Sequence, residues 1–336
     1  IRGFGDPLDR ARLVMEPNER YLWRMRPEFS GKFENAKLVT DRNGFRTDDE
    51  RGAEKSEAPQ IVEWLILGPS SAFGWGVEYE ETYSSVAARA KGKGLLNASQ
   101  VGYGISQGLR LYEDHRERWK ESPKTVFIAY GVNDVDRFRF FGPIGISDRD
   151  AFARAETVDQ LRLEKWIYHF AFSGLLMRAM QEGAVRLGCP GKSKFEIRET
   201  EDGFLSSLSL LIEQVKADGH LPVVVDSPFR YPFKTDANLA ELATKQFAAA
   251  HEAANAGNCD EAKRQFALAR SNEPHRVALA IADVNGRLKE MATEKGFKLI
   301  EASKMVSAAD DFVDPIHFSV KGNKLIGEGV LRELDR

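Results

Sequence analysis

The sequence predicts an α/β domain built on a parallel sheet covered by helices, and three observations predict it. Short apolar runs recur along the chain, each gives way to a loop rich in Gly, Ser or Asn, and helical periodicity follows. At 336 residues the chain buries a large core and suits one big domain with insertions or two small ones. With 42% hydrophobic and 29% charged residues it has the composition of an ordinary globular protein, so a packed sheet is affordable.

Residues 1–60 are rich in Pro, Gly, Arg and Asp, with aromatic anchors in "YLWRMRPEF" and a turn at Asn43-Gly44. They read as an ordered, mostly irregular lead-in packed on the core. "IVEWLILG" then gives a short buried strand, and "ETYSSVAARAKGKG" a helix with a small-residue face and a Gly-rich stop. A strand around "GLLNAS" leads through the loop "QVGYGISQG" into the amphipathic helix "LRLYEDHRERWKES", and the strand "KTVFIAYG" leads into the loop "VNDVDR".

Residues 136–200 are aromatic and basic, carry a helical pattern in "WIYHFAFSGLLMRAM", and read as a helical lid or packing insert. "FLSSLSLLIEQVKADGH" and "LPVVVDSP" resume helix and strand. Residues 240–280 resemble one tetratricopeptide-type helical hairpin closed by Glu273-Pro274. One such unit cannot bury its own face, so it reads as an insert packed on the domain of residues 61–336, and as a surface for a protein partner. "VNGRLKEMATEKG" and "FKLIEA" supply a last helix and strand before the loop "DDFVDPIHFSVKG" and the closing helix "NKLIGEGVLREL".

Composition excludes some classes. With 48 basic against 51 acidic residues there is no basic excess to hold nucleic acid. No stretch reaches the roughly 18 apolar residues of a membrane span, and the start lacks the pattern of a signal peptide. The chain opens at Ile1 without a methionine, which raises the expectation of a removed segment, a signal or a membrane anchor, outside the sequence given. Cys189 and Cys259 lack metal-ligand spacing and form at most one bridge, which sequence alone does not decide.

In parallel sheets ligands bind where loops leave the carboxyl ends of strands, so the strand-end loops are where reactive groups are sought. Ser70 lies in "GPSSA", which is not the G-x-S-x-G elbow, and Ser71 offers a second hydroxyl. Asp314 and His317 lie three apart in "DPIH", a spacing that lets one short loop set a carboxylate against the imidazole Nδ1–H and leave Nε2 for a serine. Asn133 in "YGVND" can donate a side-chain amide, and Gly102 a backbone N–H at close approach. Each of these residues alone has an ordinary reading as a turn, cap or loop residue. "GYGISQG" places Gly108 one position late for a dinucleotide loop, and the sequon-like "NAS" at Asn97 falls on a buried strand end.

Taken in order, Ser70 in a Gly-x-Ser turn, Gly102 after "N-x-S", Asn133 in Gly-x-Asn-Asp and Asp-x-x-His before the last helix resemble the four blocks of the SGNH (GDSL-type) hydrolases. The resemblance runs from about Ile61 to the C-terminus, with the two inserts as additions. It implies a flavodoxin-like three-layer α/β/α sandwich and an activity among esterases, lipases, thioesterases and carbohydrate deacetylases. It further implies Ser70 as nucleophile, His317 as general base and then acid, and Asp314 as the carboxylate that orients it. The implied oxyanion hole is the Ser70 N–H, the Gly102 N–H and the Asn133 amide, with no metal or organic cofactor.

One departure stands out: Pro69 occupies the place of the family's Asp, so the turn lacks a carboxylate that could hold neighbouring loops. The expectation is a serine esterase that hydrolyses or transfers an O-acyl group. Acetyl on a glycan in an extracytoplasmic setting is favoured over a thioesterase or lysophospholipase. Pro69 motivates a rival, a non-catalytic glycan-binding or assembly protein on the same fold. A phosphate-binding module is disfavoured, because the turn has no Ser/Thr-rich phosphate loop beyond Ser71.

Overall fold

The computed structural model describes residues 14–48, 62–137, 146–153, 158–159, 162, 195–231 and 233–335. Two short strands, β1 (Met15–Asn18) and β2 (Leu22–Met25), pair as an antiparallel hairpin. The Asn18 side chain turns it by accepting from the N–H groups of Arg20 at 2.8 Å and Tyr21 at 3.1 Å. Strands β3 (Ser30–Phe33), β4 (Ala36–Thr40) and β5 (Arg46–Thr47) follow, with β4 antiparallel to each of the other two.

Between β4 and β5, Asp41 Oδ1 accepts from the N–H groups of Asn43 and Phe45 at 2.8 Å each, and Gly44 adopts the φ of +80° that this turn requires. The expected irregular lead-in is thus a series of five strands over the described residues 14–48. They escape a sequence reading because none exceeds five residues, too few for alternation to register, and because β3, β4 and β5 take their order from pairing within the main sheet, while β1 and β2 pair only with each other.

The central strands are β6 (Trp64–Leu67), β7 (Leu95–Asn97), β8 (Thr125–Ile128), β9 (Leu221–Val225) and β10 (Lys298–Ile300). Their neighbours pair parallel, and β6 and β8 are buried along their whole lengths, as strands covered on both faces must be. The sheet order is β10-β9-β8-β6-β7-β5-β4-β3, so the antiparallel strands extend one edge through a single pairing of Arg46 with Asn97. Numbered by chain order, the parallel strands lie 2-1-3-4-5, the flavodoxin-like order, whose switch point falls between β6 and β8.

The helices are α1 (Ser70–Phe73), α2 (Tyr83–Ala90), α3 (Ile105–Trp119), α4 (Asp148–Ala153), α5 (Glu201–Ala217), α6 (Ala237–Asn255), α7 (Cys259–Lys295) and α8 (Val320–Leu334). Strand alternation assigns their layers. Leu65, Leu67, Val126 and Ile128 pack with Leu111 of α3, Leu208 and Ile212 of α5, and Ile281 and Val284 of α7. Trp64, Ile66 and Phe127 pack with Ala87 of α2 and with Ile326 and Val330 of α8. The result is a three-layer α/β/α sandwich with a mainly parallel sheet.

The hairpin expected at 240–280 corresponds to α6 and the first half of α7, but Pro274 does not close it. Helix α7 continues through the proline to Lys295 and absorbs the separate helix expected after it. Val277, Ile281, Val284 and Leu288 of the second half are buried in the main core, and that burial outweighs the roughly 3 kcal/mol that an interior proline costs. The helical pattern expected over 166–180 lies outside the described residues, as does Cys189; Cys259, at the start of α7, is disulfide-bonded. Among the described residues no helix is long and apolar enough to cross a membrane.

Candidate active site

Strand β6 ends at Leu67, the chain turns at Gly68-Pro69, and Ser70 opens the single turn of α1. The Pro69 carbonyl accepts from the N–H groups of Ala72 at 3.1 Å and Phe73 at 2.9 Å, so the proline closes the turn through its backbone. Gly74 ends α1 in the left-handed region, and the Ser70 carbonyl accepts from Gly74 and Trp75, each at 3.0 Å.

The loop after β10 explains the Asp-x-x-His spacing. Asp314 Oδ1 accepts from the N–H groups of Ile316 and His317 at 2.9 Å each, which folds the chain back so that Oδ2 meets His317 Nδ1 at 2.6 Å. Burial pushes the Asp314 carboxyl up, but the hydrogen bond and charge of His317 and the two backbone donors outweigh it and hold the group below its ordinary range. An ionised carboxylate only accepts, so Nδ1 carries the proton and Nε2 is left to accept. Ser70 Oγ donates to that Nε2 at 2.7 Å. Ser71, the other hydroxyl of the turn, instead lines a small cavity with Tyr83, Asp226 and Phe318.

Two further strand ends bring the remaining expected residues. After β7, Gly102 adopts φ +78°, a conformation that a side chain strains. After β8, Asn133 Nδ2 donates one of its two protons to the Tyr103 carbonyl at 2.9 Å. Among the described residues neither the Ser70 N–H nor the Gly102 N–H donates a hydrogen bond, so both remain free to meet a ligand oxygen.

Residues the sequence did not single out hold this arrangement. The Trp75 indole stacks on the His317 ring with centroids 4.9 Å apart and planes 18° apart. Arg198, 1% exposed, grips Asp148 through two bonds of 3.0 Å and donates to the Gly102 carbonyl and to Gln107 Oε1 at 2.9 Å each. Asp134, beside Asn133, accepts from the Ile105 N–H at 2.6 Å. Burial raises its carboxyl to about 7, against the pull of Arg198 and of that N–H. A lone Trp, Arg or Asp carries no motif, and only its neighbours in space reveal its place. Among the described residues no group of three or more His, Cys, Asp or Glu side chains is placed to hold a metal ion.

No protein-family model matches the chain, and no curated protein matches it in sequence. Solved structures similar to it include a candidate lipolytic protein of the G-D-S-L family from Desulfitobacterium hafniense DCB-2, with 11% identity over 81% of this chain and 99% of that one, at a TM-score of 0.43. A GDSL-like lipase from Bacteroides thetaiotaomicron VPI-5482 shares 13% identity over 85% and 94% of the two chains, with a TM-score of 0.42. A carbohydrate acetylesterase from Sinorhizobium meliloti shares 14% over 82% and 98%, with a TM-score of 0.40. The strand order of the chain's own sheet, rather than these likenesses, carries the fold assignment.

Proposed function

We propose that the protein is a serine ester hydrolase that works through an acyl-Ser70 intermediate. The observation that carries this reading is the unbroken line of hydrogen bonds from Asp314 Oδ2 through the His317 ring to Ser70 Oγ, 2.6 Å and 2.7 Å long. His317 Nε2 takes the Ser70 proton as Oγ attacks the ester carbonyl carbon, and Asp314 stabilises the imidazolium that forms. The carbonyl oxygen becomes an oxyanion held by the Ser70 N–H, the Gly102 N–H and the second Asn133 amide proton. Collapse breaks the bond to the alkoxy group, which leaves with the proton from Nε2. Water then gives a proton to Nε2 as its oxygen attacks the acyl carbon, and collapse breaks the bond to Oγ, which takes that proton back from Nε2 as the acid leaves.

The substrate within this proposal is an O-acetylated glycan, met outside the cytoplasm. The loop after β9 supports a sugar-bearing ester: its Arg230 N–H donates to the Pro315 carbonyl at 2.8 Å, next to Asp314, and its Tyr231 and Phe233 rings stack at 5.2 Å. Flat aromatic faces suit the apolar faces of sugars. The disulfide at Cys259 supports an oxidising compartment.

A fluorophosphonate is expected to label the wild-type protein, and Ser70→Ala to abolish labelling and lower aryl-ester turnover by about 10⁴- to 10⁶-fold. Labelling that persists in the variant moves the nucleophile to Ser71 or elsewhere. Acetate release from acetylated oligosaccharides is expected to exceed cleavage of acyl-CoA thioesters, and the reverse preference overturns the substrate assignment.

A further inference from the structure

We infer that the antiparallel N-terminal segment is a positioning element of the active site, in which Arg46 fixes the turn that carries Ser70 and Trp23 fixes the peptide that carries the Gly102 N–H. The inference rests on reading Ser70 as the nucleophile.

The nucleophile turn needs outside support. Helix α1 has four residues, too few to satisfy its own terminal carbonyls, and Pro69 brings no side chain that accepts or donates. The Arg46 guanidinium fills that gap: Nη1 donates to the Phe73 carbonyl at 2.7 Å and to the Gly74 carbonyl, and Nη2 donates to the Val77 carbonyl. It also lies over the Phe73 ring, 5.2 Å from the centroid. Arg46 is 3% exposed, and none of its hydrogen bonds among the described residues goes to a carboxylate. Burying a cation without a bonded anion is a costly way to fasten a loop. What the planar fork supplies, and a lysine or a neutral donor does not, is a fixed convergence of three carbonyls on one rigid group.

The oxyanion side is held in the same manner. Trp23 Nε1 donates to the Val101 carbonyl at 2.9 Å, and that carbonyl shares one planar peptide with the Gly102 N–H, so fixing one orients the other. The Trp23 carbonyl in turn accepts from Tyr103 Oη at 2.5 Å, and the Tyr103 carbonyl accepts from Asn133 Nδ2 at 2.9 Å. A single tryptophan of β2 is therefore bonded to the peptide of one proposed oxyanion donor and, through Tyr103, to the other. Gln100 closes the seam, accepting from the Met25 N–H at 2.7 Å and donating to the Gly44 carbonyl at 3.0 Å.

The test compares wild type with Trp23→Phe, which removes the indole N–H and keeps a ring, and with Arg46→Met and Arg46→Lys. The readouts are kcat and KM for an aryl acetate, the second-order rate of fluorophosphonate labelling, and the folded fraction by near-ultraviolet circular dichroism. Displacement of a reacting group by near 1 Å costs about a hundredfold, so kcat and labelling are expected to fall by about ten- to a hundredfold with KM held within about twofold. Arg46→Lys is expected to fall between wild type and Arg46→Met. If Arg46→Met does not fold, Trp23→Phe carries the test.

A wild-type protein that takes no label ends the reading of Ser70 itself. A wild type that labels, with folded variants that label and turn over at its rate, overturns the positioning role alone. So does a loss of rate that only tracks the loss of folded protein, or one carried wholly by KM.

Discussion

Two buried arginines support the site from different parts of the chain, and they are solvated in opposite ways. Arg198, bonded to the loop after β7 and to the first turns of α3 and α4, has its charge matched by Asp148, and although burial opposes the charge, Asp148 holds the guanidinium above its ordinary range. Arg46, on the antiparallel edge, donates among the described residues only to carbonyl oxygens, and burial pushes it down to about 10 against the pull of Glu78 and the acidic run around it. An ion pair can be exchanged for apolar packing at little cost, whereas a cation bound to three converging carbonyls is replaceable only by another group of that shape. The first region secures the fold around Gly102, and the second sets the geometry of the Ser70 turn.

The comparison is broken most directly at Arg198. Arg198→Met leaves Asp148 buried without its partner and is expected to cost about 3–5 kcal/mol in urea unfolding. The double variant with Asp148→Leu is expected to regain much of that. A double variant no more stable than the single one shows that the bonds to Gly102 and Gln107, rather than the ion pair, carry the contribution. Next in size is Asn133→Ala, which removes a proposed oxyanion donor rather than a support. Its kcat is expected to fall about 10²- to 10³-fold, with stability changed by only about 1 kcal/mol for the lost bond to Tyr103. If stability falls steeply and kcat little, Asn133 belongs with the supports.

The proposed reactive residues were legible through the order of four blocks that resemble those of the SGNH hydrolases, since each residue alone reads as an ordinary turn, cap or loop residue. Ser70, Gly102 and Asn133 each lie in a loop after an apolar strand, and the three-residue spacing of Asp314 and His317 permits the contact that the structure shows, with Asp314 Oδ1 capping the turn and Oδ2 meeting the ring. The parallel strands were legible on their own, because short runs such as Trp64–Leu67 are apolar throughout. The supports were not. Arg46 meets residues 27 to 31 positions away and Arg198 meets Gly102 across 96, so no local pattern marks either one. The strands of the N-terminal edge were missed because a two-residue strand such as Arg46–Thr47 exists only through its neighbours. Proline at 274 misled because local propensity pointed one way and the buried face of α7 the other.

The smallest effect concerns the charge balance beside Arg198. Burial raises the Asp134 carboxyl from 3.8 to about 7, with Asp148 and Glu199 adding to the rise while Arg198 and the Ile105 N–H oppose it. The folded protein therefore holds this proton over a range where the unfolded chain has released it. Stability from this group is greatest below the unfolded value, declines as pH rises from about 4 to about 7, and is lost above, with a slope of at most about 1.4 kcal/mol per pH unit. Asp226, raised to about 6 by burial, contributes with the same sign, so the wild-type slope contains both. Asp134→Asn keeps an oxygen for the Ile105 N–H and removes the titration. The difference between variant and wild type in urea midpoints across about pH 5 to 8 isolates Asp134. A variant whose midpoints fall with pH as steeply as those of the wild type places the titrating group elsewhere.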